Sequence, residues 1–97
     1  MINKVIRRID KQGRLQLPVE LVSFSSIKDS KEFAICSMGK EMIKLKKIDE
    51  VKNLKVISLG KLDDKRRLII PPEIRQETQE FEVFVFNGNL ILKEAHE

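Results

Sequence analysis

The order of apolar and polar segments is the same in both halves of the chain. In the first half, residues 4–9 are rich in β-branched residues and predict a strand. Residues 15–17 alternate between apolar and polar with period two, as a half-buried strand does. Pro18 cannot donate to a β-ladder and therefore ends this strand, and proline is also suited to the first position of a helix. The pattern predicts two strands followed by a short helix.

A pair of apolar segments joined by a polar turn closes each half and predicts a β-hairpin. The pair is 33–38 and 42–45 in the first half, and 81–86 and 90–92 in the second. The Asn-Gly sequence at 87–88 is a strong hairpin signal, because both residue types tolerate positive φ. Each half therefore predicts the order β-β-α-β-β, and the predicted fold class is mostly β with a minor α component.

These matching patterns come from an internal repeat. Residues 6–21 align without a gap on residues 59–74, and five of the 16 positions are identical where composition alone gives about one. The identical pairs are Asp10/Asp63, Arg14/Arg67, Leu15/Leu68, Pro18/Pro71 and Glu20/Glu73. Each half is too small to bury a stable core alone, so we expect the 97 residues to form a single domain. Its parts are repeat 1 at 4–47, repeat 2 at 57–94, and a linker at 48–56 that is either a turn of helix or a charged loop.

The basic residues are concentrated near the two polar turns. The net charge is +4, and the excess lies in the first half: residues 1–50 hold 11 Lys or Arg and 7 Asp or Glu, whereas residues 51–97 hold 8 of each. The basic residues around the first turn are Lys4, Arg7, Arg8, Lys11 and Arg14, and those around the second are Lys61, Lys65, Arg66 and Arg67. Such a distribution fits a polyanionic partner.

Other functional classes find little support in the sequence. Cys36 and His96 are single residues of their kinds, so neither an intrachain disulfide nor a metal cluster can form, and Cys36 is expected to be a buried apolar residue. No phosphate-binding loop or catalytic set is present, so we expect no enzyme, no cofactor and no small-molecule ligand. The five phenylalanines are expected in the core rather than in a base-stacking platform. Without a signal peptide or a membrane-length apolar segment, we expect a cytoplasmic protein with no membrane partner.

The repeated stretch resembles a known family. A strand, Asp-x-x-Gly-Arg at 10–14, Pro-x-Glu-Leu at 18–21 and a hairpin ending in Ile-x-Leu-Lys at 43–46 are similar to the AbrB/SpoVT superfamily of swapped-hairpin DNA-binding domains. Two copies in one chain, each with Asp-x-x-x-Arg, resemble the MraZ branch of transcriptional regulators. The resemblance implies a swapped-hairpin, double-psi-like β-barrel with pseudo-two-fold symmetry, built from the two tandem repeats.

The resemblance also implies a function. It predicts a cytoplasmic, nucleoid-associated transcriptional regulator that binds double-stranded DNA and forms a homo-oligomer, most often a dimer. The residues expected to meet DNA are Arg7, Arg8, Lys11, Arg14, Lys61, Lys65, Arg66, Arg67 and Arg75. Because Arg66 replaces the turn glycine in the second copy, we expect that turn to have a different shape. We also expect Arg8 and Arg14 to matter more than Lys61 and Arg67.

Two questions stay open at the level of the sequence. The Asp-x-x-x-Arg spacing either pairs each aspartate with the arginine of its own turn or directs the arginine at phosphates and guanine edges, and the two roles are compatible. The sequence also leaves open two alternatives to a transcriptional regulator. One is an antitoxin that binds DNA, and the other is a protein–protein scaffold that uses the repeats only for assembly. An antitoxin needs a toxin-binding tail after the last strand, and the five residues after Leu92 are too few for one.

Overall fold

β-strands predominate in residues 4–39, 41–74 and 79–95, the part of the chain that this computed structural model describes. The elements in chain order are β1 (Val5–Arg8), β2 (Arg14–Gln16), α1 (Val19–Ser23), β3 (Phe33–Ser37), β4 (Met42–Lys46), β5 (Lys55–Gly60), β6 (Arg67–Ile69), β7 (Glu80–Phe86) and β8 (Asn89–Glu94), with 3-10 turns at Ile48–Glu50 and Pro72–Ile74. The mostly β fold class predicted from the sequence is confirmed.

The strands of the two repeats interleave. A six-stranded antiparallel sheet has the order β1, β7, β8, β4, β3, β5, and β2 pairs with β6 in a separate two-stranded antiparallel ribbon. The first strand of each repeat therefore pairs with the third strand of the other repeat. The central pair, β4 with β8, also joins the two repeats. Pulling the repeats apart would break these ladders, and each repeat thus completes the sheet of the other.

The pairing registers relate the repeats by a pseudo-two-fold axis. Leu15 in β2 lies directly opposite Leu68 in β6, which is its own counterpart in the repeat, so the axis passes through this pair. The hydrogen bonds just beyond the two strands also match, because the amides of Leu17 and Ile70 each donate across the ribbon at 2.9 Å. Equivalent residues of the two repeats are paired in the β1–β7 and β3–β5 ladders, up to a β-bulge in the β3–β5 ladder.

The ribbon packs on one side of the sheet, which we term the inner face. Leu15 and Leu68 have no exposed surface there, and α1 adds Leu21 and Val22 to the same core. Because strand side chains alternate, every second residue of the sheet joins this core. The buried core residues of the sheet are Phe33, Ile35, Ile43, Leu45, Phe81, Val83, Leu90 and Leu92. The residues between them form the opposite side, which we term the outer face.

The described strands do not close into the barrel that the family resemblance implies. β1 and β5 are the two edges of the sheet, and β2 and β6 pair with each other instead of joining those edges. The connection between β1 and β2 is a local turn, in which the amide of Asp10 donates to the carbonyl of Arg14 at 2.9 Å. The result is an open sheet covered on its inner face by the ribbon.

Two connections differ between the repeats. The second repeat has a 3-10 turn at Pro72–Ile74 where the repeat pattern predicts an α-helix like α1. The spacing differs as well, since 15 residues separate Pro18 from Phe33 but only 10 separate Pro71 from Phe81. The linker contains a 3-10 turn, which agrees with the first of the two alternatives for that segment.

The prediction that the phenylalanines lie in the core is only partly confirmed. Phe33 and Phe81 are buried, but Phe86 is 53% exposed and Phe84 is half-buried on the outer face. The alternation of β7 explains this, because residues 81, 83 and 85 face inward and residues 84 and 86 therefore face outward. Phe24, which follows α1 directly, is 76% exposed.

Candidate nucleic-acid interface

One aspartate holds the turn between the first two strands of each repeat. Oδ1 of Asp10 accepts hydrogen bonds from the amides of Gln12 and Arg14, and its Oδ2 accepts one from Nε of Arg14, all at 2.9 Å. The corresponding three bonds to Asp63 measure 2.9, 2.8 and 2.7 Å, and the last comes from Nε of Arg67. Each aspartate therefore pairs with the arginine of its own turn, which is the structural interpretation of the Asp-x-x-x-Arg spacing.

The two turns have the same shape, so the expectation that Arg66 alters the second turn is wrong. Gly13 has φ +78° and Arg66 has φ +60°, which places both in the left-handed region. In each turn, the amide of this residue donates to the carbonyl of the aspartate, Asp10 or Asp63, at 3.0 Å. An arginine is unfavourable in this region because of its Cβ atom, and the hydrogen bonds to Asp63 hold it there.

Replacing Arg66 with glycine is expected to raise the free energy of unfolding by about 0.5–1 kcal/mol. Relief of the left-handed strain, roughly 1–2 kcal/mol, exceeds the extra chain entropy that glycine loses on folding, roughly 0.5–1 kcal/mol. Urea denaturation followed by circular dichroism measures the change. Lys65→Gly is the matched control, because Lys65 lies outside the left-handed region and glycine there should only destabilise. Equal destabilisation by both variants would contradict the strain at Arg66.

Both aspartates are stabilised in their charged form. The amide of Arg67, together with its side chain and the amide of Lys65, holds the pKa of the Asp63 carboxyl at about 2. The amide of Arg14 likewise lowers the pKa of Asp10. A depressed pKa means that the folded state favours the ionised carboxylate more than the unfolded chain does. For Asp63, this stabilisation is fully present above about pH 4 and is lost as the pH falls through about 2.

Acidification from about pH 4 to about pH 2 is therefore expected to destabilise the parent protein more than an Asp63→Asn variant, which cannot ionise at this position. Denaturation curves at several pH values in this range give the difference. Asp64→Asn is the control, because the Asp64 side chain accepts no hydrogen bond from the described residues. Equal acid sensitivity of the parent and Asp63→Asn would show that the Asp63 carboxylate does not stabilise the fold.

The arginines of the two turns lie on the same face of the ribbon, the one turned away from the sheet, where their side chains are 29% and 26% exposed. Arg14 and Arg67 are diagonal neighbours in the β2–β6 pair, which places the two residues about 7–8 Å apart. Each guanidinium is held through Nε, and its two terminal nitrogens have no hydrogen-bond partner among the described residues. Gln16 and Ile69 complete this ribbon face. The sequence prediction omits them, although the alternation around Leu15 indicates Gln16.

Most of the other predicted contact residues surround the ribbon face. Those exposed in the two turns are Lys11, Lys65 and Arg66. Arg8 and Lys61 are exposed where β1 and β5 lead into the turns, but Arg8 lies on the outer face beside Glu80, whose carboxylate is 3.7 Å from Nη1 of Arg8. Both turns thus present basic side chains on either side of the arginine pair.

Arg7 does not belong to this group. It points from β1 toward the inner face, and its buried Nε has no hydrogen-bond partner among the described residues. Gly60 stands at the equivalent position of the second repeat, where an added Cβ would lie 3.0 Å from side-chain atoms of Ile35 and Leu68. Arg7 therefore has no symmetric counterpart. Arg75, the remaining predicted contact, lies outside the described residues.

Outside the turns, reactive groups are few among the described residues. They contain no group of three or more His, Cys, Asp or Glu side chains that could hold a metal ion. Cys36 is buried as predicted, and burial raises the pKa of its thiol. His96 lies outside the described part of the chain. No helix within that part is long and apolar enough to cross a membrane.

No protein-family model and no curated protein matches this chain significantly. The candidate interface is therefore defined by its own residues. It consists of a ribbon face with two anchored arginines, related by the pseudo-two-fold axis and flanked by the basic side chains of both turns. Such an arrangement can donate several hydrogen bonds to anionic oxygens or to acceptors on base edges.

Proposed function

We propose that this protein is a transcriptional regulator of the AbrB/MraZ type that binds double-stranded DNA. One observation carries the proposal: the repeated, aspartate-anchored turn puts Arg14 and Arg67 on the same exposed face. Anchoring through Nε limits the rotamers of each arginine, so less entropy is lost when its terminal nitrogens bind DNA. Arginine is also the side chain that most often reads guanine in the major groove.

The shape and symmetry of the ribbon support the same proposal. The major groove of B-DNA admits a two-stranded β-ribbon, and proteins with two-fold symmetry bind sites with the matching symmetry. Lys11, Lys65 and Arg66 flank the ribbon face, where they would meet phosphates of the two strands. The interleaved strand order also fits a swapped-hairpin relationship between the repeats, which we include in the proposal.

A titration of a labelled random-sequence duplex tests this function. We expect binding at low salt, with log K falling linearly against log salt at a slope of about −0.9 for each phosphate contact. The same titration with a duplex selected from a random library measures specificity. If the folded protein does not bind duplex DNA even at low salt, the proposal fails and a scaffold role becomes the better explanation.

We further propose that the protein binds DNA as a homodimer. One chain of 11.3 kDa offers a single ribbon face, and a second copy would double the number of phosphate contacts. Sedimentation velocity with and without duplex should therefore show a species of twice the chain mass. If only the single chain sediments under both conditions, the pseudo-two-fold axis within the chain supplies all of the symmetry.

A further inference from the structure

The outer face of the sheet combines two outward-facing aromatic rings with lysines, and it lies on the opposite side of the sheet from the ribbon. Phe84 and Phe86 both point outward from β7, about 7 Å apart along the strand. Phe86 is more than half exposed. The ring of Phe84 is covered by Lys4, whose Nζ lies 5.5 Å from the ring centroid, but the Lys4 side chain is itself 61% exposed. A bound ring could therefore displace Lys4 at little cost.

Basic residues are interleaved with these rings instead of surrounding them at a distance. Ile91 in β8 lies between Phe84 in β7 and Lys44 in β4. Asn89 in β8 lies in the same way between Phe86 and Lys46. Nζ of Lys46 donates to Oδ1 of Asn89 at 3.0 Å, which holds it over the middle of the sheet. The basic outer-face residues of the described strands, together with Lys4 directly before β1, are Lys4, Arg8, Lys44, Lys46 and Lys93, against Glu80 and Glu82.

This combination selects among possible occupants of the outer face. A symmetric contact with a second copy would place five basic and two acidic side chains against the same set, which is electrostatically unfavourable. A duplex brings phosphates but keeps its bases stacked inside, out of reach of the rings. A single strand supplies phosphates for the lysines and unstacked bases for the rings, so it satisfies both features.

We propose that the outer face binds single-stranded nucleic acid, with bases stacked on Phe84 and Phe86 and with Lys44, Lys46 and Lys93 meeting the phosphates. Aromatic side chains on adjacent outward positions of a sheet strand are an established way to hold two or three bases. Stacking of this kind tolerates any base, so the site should show little sequence preference. The inference does not depend on duplex binding at the ribbon face, which uses other residues on the other side of the molecule.

Fluorescence anisotropy with a labelled single strand of about 12 nucleotides, within the usual site size of such domains, tests the proposal. Phe84→Leu and Phe86→Leu keep apolar volume but remove the rings, and each should weaken binding roughly fivefold to a hundredfold. Phe24→Leu is the matched control, because Phe24 is exposed after α1 and not on the outer face. Arg14→Ala, which removes a ribbon-face arginine, should leave single-strand binding unchanged.

Three results would overturn the proposal. The first is that the parent does not bind the single strand at low salt. The second is that Phe84→Leu and Phe86→Leu, with melting temperatures like the parent, bind the single strand as tightly as the parent does. The third is that Phe86→Leu converts a self-associated parent into single chains in sedimentation while single-strand affinity stays the same. The outer face would then be a contact between copies. Loss of single-strand binding with retained duplex binding would separate this site from the ribbon face.

Discussion

Replacing Leu68 with alanine should lower the free energy of unfolding by about 2–5 kcal/mol, a large part of the roughly 5–15 kcal/mol that holds a typical domain together. Leu68 has no exposed surface and lies opposite Leu15 on the pseudo-two-fold axis, between the ribbon and the sheet. The shortened side chain leaves a cavity that the flanking ladders cannot collapse into. Leu15→Ala should cost a similar amount, because it occupies the symmetric position.

Urea denaturation followed by far-UV circular dichroism measures both variants, since the chain has no Trp or Tyr for fluorescence. Ile69→Ala is the control on the same strand; this side chain is 63% exposed, and the change should stay within about 0.5 kcal/mol. The double variant Leu15→Ala/Leu68→Ala should depart from additivity, because the two side chains are directly opposite neighbours. A cost for Leu68→Ala no larger than that for Ile69→Ala would show that the ribbon does not pack on the sheet as described.

Replacing Arg14 with alanine should weaken duplex binding by about 1–3 kcal/mol if the side chain reads a base edge, and by less if it meets only a phosphate. Arg67→Ala should have an effect in the same range, because Asp63 anchors Arg67 as Asp10 anchors Arg14. The same series tests the sequence-based prediction that Arg8 and Arg14 matter more than Lys61 and Arg67, which rests on the glycine turn and net positive charge of the first repeat and on Asp64 beside the second turn. The double variant should lose the most affinity, and each lost phosphate contact should reduce the salt slope by about one.

Titrations of one duplex at two salt concentrations measure these changes, after each variant is shown to melt like the parent. Lys46→Ala and Lys93→Ala are the controls, because both residues lie on the outer face. Arg14→Lys separates charge from geometry, since lysine keeps the charge but cannot present the planar pair of terminal nitrogens. If the arginine variants bind like the parent and the lysine variants lose duplex affinity, the duplex binds to the outer face and not to the ribbon face.

Local features of this protein could be predicted from the sequence because their causes are local. The alternation at residues 15–17, the glycine and aspartate of the first turn, and the Asn-Gly pair at 87–88 each specify a strand or a turn within a few residues. The second turn was the exception. Its similarity to the first depends on three hydrogen bonds to Asp63, which can stabilise a left-handed arginine, and residue identity alone did not predict this.

The candidate sites depend on contacts between distant segments. The sequence indicated that Arg14 and Arg67 are equivalent, but only the β2–β6 pairing places them side by side. Similarly, the sequence placed Phe84 and Phe86 on a strand, but which side of that strand is buried depends on the ribbon packing against Phe81 and Val83.

By itself, the sequence determined the repeat, the order of strands and turns, and the basic residues beside each turn, because these follow from neighbouring residues. The tertiary structure alone decided that β2 pairs with β6, that the sheet stays open at β1 and β5, and which face of each strand meets solvent. The physical reason is that residues about 50 positions apart pair only where the packing of the complete core brings them together, and no local pattern contains that information.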